Sequence, residues 1–114
     1  MKFNLYSLDR YGNNRIKKIC AIEENYFGNG ILNVTAGTTG YCGGDSGHGG
    51  ESFIKLRMQG GDLSASIDGE VHTDIEDLII SVGGDWELDA LIEGLRYATE
   101  ALELIANIKA QQKE

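Results

Sequence analysis

The residues best suited to chemistry are crowded into one stretch, Thr35-Ala-Gly-Thr-Thr-Gly-Tyr-Cys-Gly-Gly-Asp-Ser-Gly-His-Gly-Gly50. Seven of the sixteen glycines fall between Gly37 and Gly50. Neither a helix nor a central strand sustains that density, because each glycine loses much backbone entropy on folding and brings no side chain to pack. A loop of this kind suits backbone that turns with positive φ or lies close against another surface. Successive N–H groups around Gly43 and Gly44 are candidates for an anion nest, with hydroxyl donors at Thr38, Thr39 and Ser46. Asp45 and His48 add hydrogen-bonding capacity. Arg57 and Arg96 are scarce cations in an acidic region, and a guanidinium fork suits phosphate. Tyr41, Phe53 and Trp86 are candidates to stack on a base. The competing reading of the same stretch is a structural loop laid over a sheet, with the arginines in surface ion pairs.

Three familiar patterns in the stretch carry less than they promise. Gly44-Asp45-Ser46-Gly47 echoes the surroundings of a serine-protease nucleophile. That chemistry needs a histidine base oriented by a carboxylate, and the chain has only His48 and His72. Cys42, Asp45 and His48 offer three metal ligands where a closed zinc site wants four, and the fourth, Cys20, would have to arrive through the fold. No Gly-Lys-Ser/Thr follows the glycines, and the next element reads as a strand, which excludes a P-loop and a dinucleotide fingerprint. No metal and no cofactor is expected. Asn33-Val-Thr35 fits a glycosylation sequon but, without a secretory signal, carries no weight.

At 114 residues, 41% hydrophobic and 25% charged, the chain is sized for one soluble domain with a modest core. No apolar run approaches the ~18 residues of a membrane span, and the first ten residues are too polar for a signal peptide. Two cysteines are too few for a secreted disulfide scaffold, so a cytoplasmic location fits, with Cys20 and Cys42 more naturally free than paired. The net charge of −8 is uneven: residues 1–22 carry +4 and residues 23–114 carry −12. Broad phosphate neutralisation, and with it binding to nucleic-acid duplexes, is therefore not expected. An acidic surface that competes for another protein's basic groove stays open.

The elements that must position these residues read as an α+β domain over 1–114. Its first part, 1–84, is an antiparallel sheet holding the glycine loop 37–50, and its second, 85–111, is a long helix. Strands are expected over about 2–8, 15–23, 31–36, 52–58, 63–67 and 78–82, with turns at 9–14, 25–30, 59–61 and 68–69. Residues 71–77 resist assignment. In 52–58 strict alternation puts Phe53, Lys55 and Arg57 on one face and Ile54, Leu56 and Met58 on the other, the second set facing the core. Asp85 is a helix N-cap with Glu87 and Asp89 in the first turn. Apolar residues then recur at Leu88, Leu91, Ile92, Leu95, Ala98, Leu102, Ile105 and Ile108, a helical period. About 25 residues at ~1.5 Å rise give ~37 Å, longer than short strands would cover. Either the helix breaks near Gly94 or its far end packs on a second subunit, and a homodimer is the expectation.

The order of elements and the loop Gly-Thr-Thr-Gly-Tyr-Cys-Gly-Gly-Asp-Ser-Gly-His-Gly-Gly together resemble the phage-encoded Thoeris anti-defence family. The resemblance implies an N-terminal antiparallel sheet, C-terminal helices and assembly as dimers or higher oligomers. It also implies capture, without catalysis, of cyclic ADP-ribose signals made by TIR proteins, some members holding cyclic oligonucleotides, in the cytoplasm of the infected host cell. Family pockets use an aromatic stack and arginines from strand and helix, parts for which Phe53, Arg57, Trp86 and Arg96 are the matching residue types. The chain departs from the pattern in having four arginines in all and no arginine pair on its last helix. The alternative is an acidic protein–protein inhibitor of a nucleic-acid-binding defence effector, of the anti-CRISPR type.

Overall fold

The computed structural model describes residues 2–43 and 50–112. Among these described residues seven strands precede one helix: β1 (Asn4–Leu8), β2 (Lys17–Phe27), β3 (Ile31–Thr38), β4 (Glu51–Gln59), β5 (Ala65–Ile67), β6 (Glu70–His72), β7 (Asp77–Gly83) and α1 (Asp85–Gln112). Five strands form one sheet in the order β1-β2-β3-β4-β7, every neighbour antiparallel. The fold is thus α+β, a meander followed by one helix. β5 and β6 form a separate hairpin between β4 and β7. Its turn is Asp68-Gly69, both with positive φ, the conformation a two-residue hairpin loop demands. The segment 71–77 that resisted assignment supplies most of β6 and leads into β7.

Local chemistry explains the turns. The Asp9 carboxylate accepts the N–H groups of Asn13 and Asn14, each at 3.1 Å, which tightens the β1–β2 loop. The β2–β3 turn narrows to Gly28-Asn-Gly30, closed by Gly28 N–H to the Gly30 carbonyl at 2.9 Å. β2 is accordingly longer than its apolar pattern suggested, because Asn25, Tyr26 and Phe27 all stay in the ladder opposite β3. The helix runs unbroken past Gly94. One interior glycine costs only ~1 kcal/mol relative to alanine, too little to break 28 residues.

Residues directly opposite in an antiparallel ladder share a face, so the register divides the sheet. One face carries Tyr6, Ile19, Ala21, Gly37 and Phe53, continuing through Asn33, Lys55 and Arg57. The other carries Ile22, Val34, Ile54, Leu56, Ile80 and Val82. The core lies on the first face. Leu8, Ile19, Ala21 and Phe53 form the buried cluster, with Tyr6 packed against it. This corrects the expectation for β4: Phe53 is 1% exposed, whereas Ile54, Leu56 and Met58 are only half-buried on the opposite face.

Curvature is the reason. The Tyr6 ring, on β1, stacks on Phe53, on β4, at 4.6 Å between centroids. A flat sheet would hold those strands ~14 Å apart, so the sheet curls and the Phe53 face becomes its concave side. Gly37 permits this. A Cβ there would lie 2.5 Å from Phe53 Cε1 and 2.9 Å from Ala21 Cβ, so the aromatic ring lies across bare backbone on β3. The Arg10 guanidinium fills the space a side chain at residue 83 would need, drawing the β1–β2 loop toward the end of β7. The helix leaves the sheet at β7 and shares little surface with the other strands. Of its side chains only Leu88 is buried.

Candidate functional site

The described part of the glycine loop folds as an arch docked on the start of α1. Thr39 N–H donates to the Glu51 carbonyl at 2.9 Å and its hydroxyl accepts from Glu51 N–H at 2.9 Å, closing the arch at its base. The Thr38 hydroxyl lies 2.8 Å from that of Ser52 and accepts from Gly40 N–H at 2.9 Å. Gly40 and Gly43 both take positive φ. Cys42 N–H and Gly43 N–H each donate to the Asp85 carboxylate at 2.8 Å. Two successive loop N–H groups, at Cys42 and Gly43, thus converge on one anion, a carboxylate of the same chain. The Tyr41 hydroxyl donates to Asp89 one turn further on. That hydrogen bond, then local burial, then the negative charges of Asp89 and Asp85 raise the Tyr41 phenol above its usual 10.0. Gly44, Asp45, Ser46 and His48 lie outside the described residues.

The remaining candidates do not join this arch. Phe53 is enclosed by the core and stacked on Tyr6, so its ring has no free face for a ligand. Trp86 is 76% exposed on the first turn of α1, near the arch. Arg96 pairs with Glu93 at 3.4 Å in solvent, about 16 Å along the helix from Asp85 at ~1.5 Å per residue. Arg57 lies on the concave face six residues beyond Glu51, ~20 Å from the arch at strand rise. The sequence's single composite pocket is thus divided into an arch at the helix N-terminus and a separate place around Arg57. Both cysteines are free, and among the described residues no group of three metal-ligating side chains converges.

What sequence reasoning missed is the polar floor beside Arg57. Asn33 is its hub: the amide nitrogen donates to Glu23 Oε2 at 3.1 Å and to Asn25 Oδ1 at 2.8 Å, and the amide oxygen accepts from Thr35 Oγ1 at 3.2 Å. Lys55 and Arg57 sit two residues apart on β4, directly opposite Thr35 and Asn33. The Lys55 ammonium lies 5.4 Å over the Tyr6 ring. Arg57 Nε is 3.5 Å from Asp77 Oδ1 but makes no hydrogen bond to it, so this buried N–H has no acceptor among the described residues. Glu23, Asn25, Asn33, Lys55, Arg57 and Gln59 border a cleft of about 270 Å³. A neighbouring cleft of about 260 Å³ shares Glu23 and Lys55 with it and reaches Tyr6. The signal was present in the sequence as Glu23-x-Asn25, Asn33-x-Thr35 and Lys55-x-Arg57. Each is a polar pair two residues apart, which a strand places on one face. Only the register aligned the three pairs.

Comparison with protein-family models, with curated proteins and with solved structures returned no match to this chain. Among the described residues no helix is long and apolar enough to cross a membrane.

Proposed function

We propose that the chain is a non-enzymatic phage anti-defence protein, one that captures a small anionic, nucleotide-like immune signal in the host cytoplasm and holds it intact. The class of signal is a cyclic ADP-ribose isomer or a cyclic oligonucleotide. The observation that carries the reading is the floor of the concave face: two cations, Lys55 and Arg57, beside an amide network already ordered by Asn33. A phosphate group would meet the cations, and Arg57 brings a buried N–H that has no acceptor among the described residues. The Asn25 amide nitrogen would serve a ribose hydroxyl or a base edge, its orientation held by the Asn33 donation to Asn25 Oδ1. The two linked clefts together reach the few-hundred-Å³ size usual for small-molecule sites. The arch is assigned the supporting part, since Thr38, Thr39, Cys42 and Gly43 spend their polar groups on Ser52, Glu51 and Asp85.

Calorimetry of the purified chain against linear and cyclic ADP-ribose isomers and cyclic di- and trinucleotides tests this, with heat-released ligand checked for integrity. Arg57→Ala is expected to weaken capture ~10- to 150-fold, the worth of a charged hydrogen bond, and to leave Tm nearly unchanged because the side chain is partly exposed. Absence of binding by every nucleotide refutes the reading. A large fall in Tm assigns Arg57 to the fold instead.

A second reading, the acidic protein–protein inhibitor, is favoured by one feature. α1 exposes Glu93, Glu100 and Glu103 together with Tyr97. On that reading charge reversal at Glu100 and Glu103 weakens a salt-sensitive complex with a basic effector. An unaffected affinity removes it.

A further inference from the structure

The cleft beside Arg57 is not a plain anion site. Its cations, Lys55 and Arg57, stand with two carboxylates: Glu23 borders the same cleft and Asp77 lies beside the guanidinium. Glu23, Thr35 and Lys55 form one cross-strand row, and Asn25, Asn33 and Arg57 form the next. At ~5 Å per strand spacing, Glu23 and Lys55 face each other across β3 with ~10 Å between their backbones. They do not pair. Glu23 forms no ion pair among the described residues, and the Lys55 ammonium lies over the Tyr6 ring instead. A carboxylate left without a cation in a phosphate site weakens phosphate binding by like-charge repulsion. Its place there calls for a ligand that also brings a hydrogen-bond donor, because an ionised carboxylate only accepts.

We propose that Glu23 is the specificity residue of this cleft: it accepts a free sugar hydroxyl, so the cleft takes a sugar phosphate with an intact diol and rejects one whose hydroxyls are phosphorylated or missing. The inference rests on the phosphate-capturing reading of the cleft and adds the second half of the ligand. Asn33 spends both amide hydrogens, on Glu23 Oε2 at 3.1 Å and on Asn25 Oδ1 at 2.8 Å, and its oxygen accepts from Thr35 at 3.2 Å. It keeps nothing to donate to a ligand and serves to hold its two neighbours. Glu23 Oε1, an acceptor, and the Asn25 amide nitrogen, a donor, make no hydrogen bond among the described residues. They stand two residues apart on one face of β2. That pair suits two adjacent hydroxyls, one donating to Glu23 and the other accepting from Asn25. An acidic side chain on a ribose hydroxyl is also how dinucleotide-binding folds favour a free 2′-hydroxyl over a 2′-phosphate. Glu23 and Lys55 border both linked clefts, so a phosphate on the β4 cations and a sugar on β2 belong to one continuous site.

Calorimetry of the full chain with adenosine 5′-monophosphate, its 2′,3′-dideoxy analogue and adenosine 2′,5′-bisphosphate is the test. The wild type is expected to bind the monophosphate ~10- to 150-fold more tightly than the dideoxy analogue, the worth of a hydrogen bond to a charged group. The bisphosphate, with a phosphate facing the carboxylate, is expected to bind more weakly than the monophosphate. Glu23→Gln keeps the size of an exposed side chain and an acceptor for Asn33 while removing the charge. In that variant the diol preference should fall below ~10-fold, the scale of a neutral hydrogen bond, and the bisphosphate should bind more tightly than it does to wild type. Opposite signs set this apart from a structural role, which would weaken all three compounds together. Asn25→Leu should weaken the monophosphate without helping the bisphosphate. Equal binding of the three compounds by wild type overturns the inference and leaves phosphate capture standing, and this comparison decides even if a variant fails to fold by circular dichroism. If the monophosphate does not bind, the inference alone falls where a cyclic signal still binds, and the capture reading falls with it where none does.

Discussion

Gly37→Ala isolates the contact that lets the sheet curl. The φ of residue 37 is outside the left-handed region, so alanine meets no backbone strain and the whole effect is steric. The new methyl would sit 2.5 Å from Phe53 Cε1, 2.9 Å from Ala21 Cβ and 3.0 Å from the Cys20 carbonyl oxygen. The last two are fixed to the neighbouring strand, and the Phe53 ring is 1% exposed and stacked on Tyr6. Something in the concave core must move. Overpacking of this kind costs ~1–3 kcal/mol, and at ~4–5 °C per kcal/mol for a domain of this size Tm falls by roughly 5–15 °C. Calorimetric melts of wild type and variant at matched protein concentration read the difference directly. The partner is identified by a double-mutant cycle with Phe53→Leu, which removes the atom nearest the new methyl. The two changes should couple by ~0.5–3 kcal/mol. A Tm within 1 °C of wild type, or additive effects in the cycle, would refute the account of the curl.

Three further outcomes follow from single observations. Gly94→Ala, at a helical position where a Cβ meets nothing within 4 Å, should stabilise by ~1 kcal/mol and raise Tm; a lower Tm would mean that α1 needs a small residue there. Tyr41 titrates above its ordinary 10.0 because its hydroxyl is hydrogen-bonded to Asp89. A raised folded pKa gives stability that is complete below pH 10 and lost as pH climbs through the folded value. Tyr41→Phe should flatten that alkaline loss in pH-dependent melts, and an unchanged slope would count against the hydrogen bond. Asp85→Ala removes the acceptor of two loop N–H groups, so exchange at the Cys42 and Gly43 amides should quicken at least ~10-fold. Equal exchange in the two proteins would show that the arch is held elsewhere.

Much of this molecule is legible in its sequence because the deciding physics is local. Period-two alternation set the strands, Asp68-Gly69 and Gly28-Asn-Gly30 set the hairpin turns, and the apolar period after Asp85 set a long helix. These depend on neighbours a few residues away. The faces and the site do not. Alternation in β4 showed that Phe53 and Ile54 point opposite ways, but hydrophobic count alone favoured Ile54, Leu56 and Met58 for the core. The curl across Gly37 buried Phe53 instead, because β1 and β4 come together only when β2 and β3 bend between them. In the same way the sequence grouped Arg57, Phe53 and the glycine loop by proximity in the chain. Register carried Arg57 about 20 Å away to join Asn33 and Glu23, residues of two other strands. Asp85 was legible as a helix cap, but that its carboxylate also accepts the Cys42 and Gly43 N–H groups was decided by the docking of loop on helix across more than forty residues of chain. Residue type and spacing determine which elements form. Which of their faces meet is a long-range packing choice, and in this chain the tertiary structure made it.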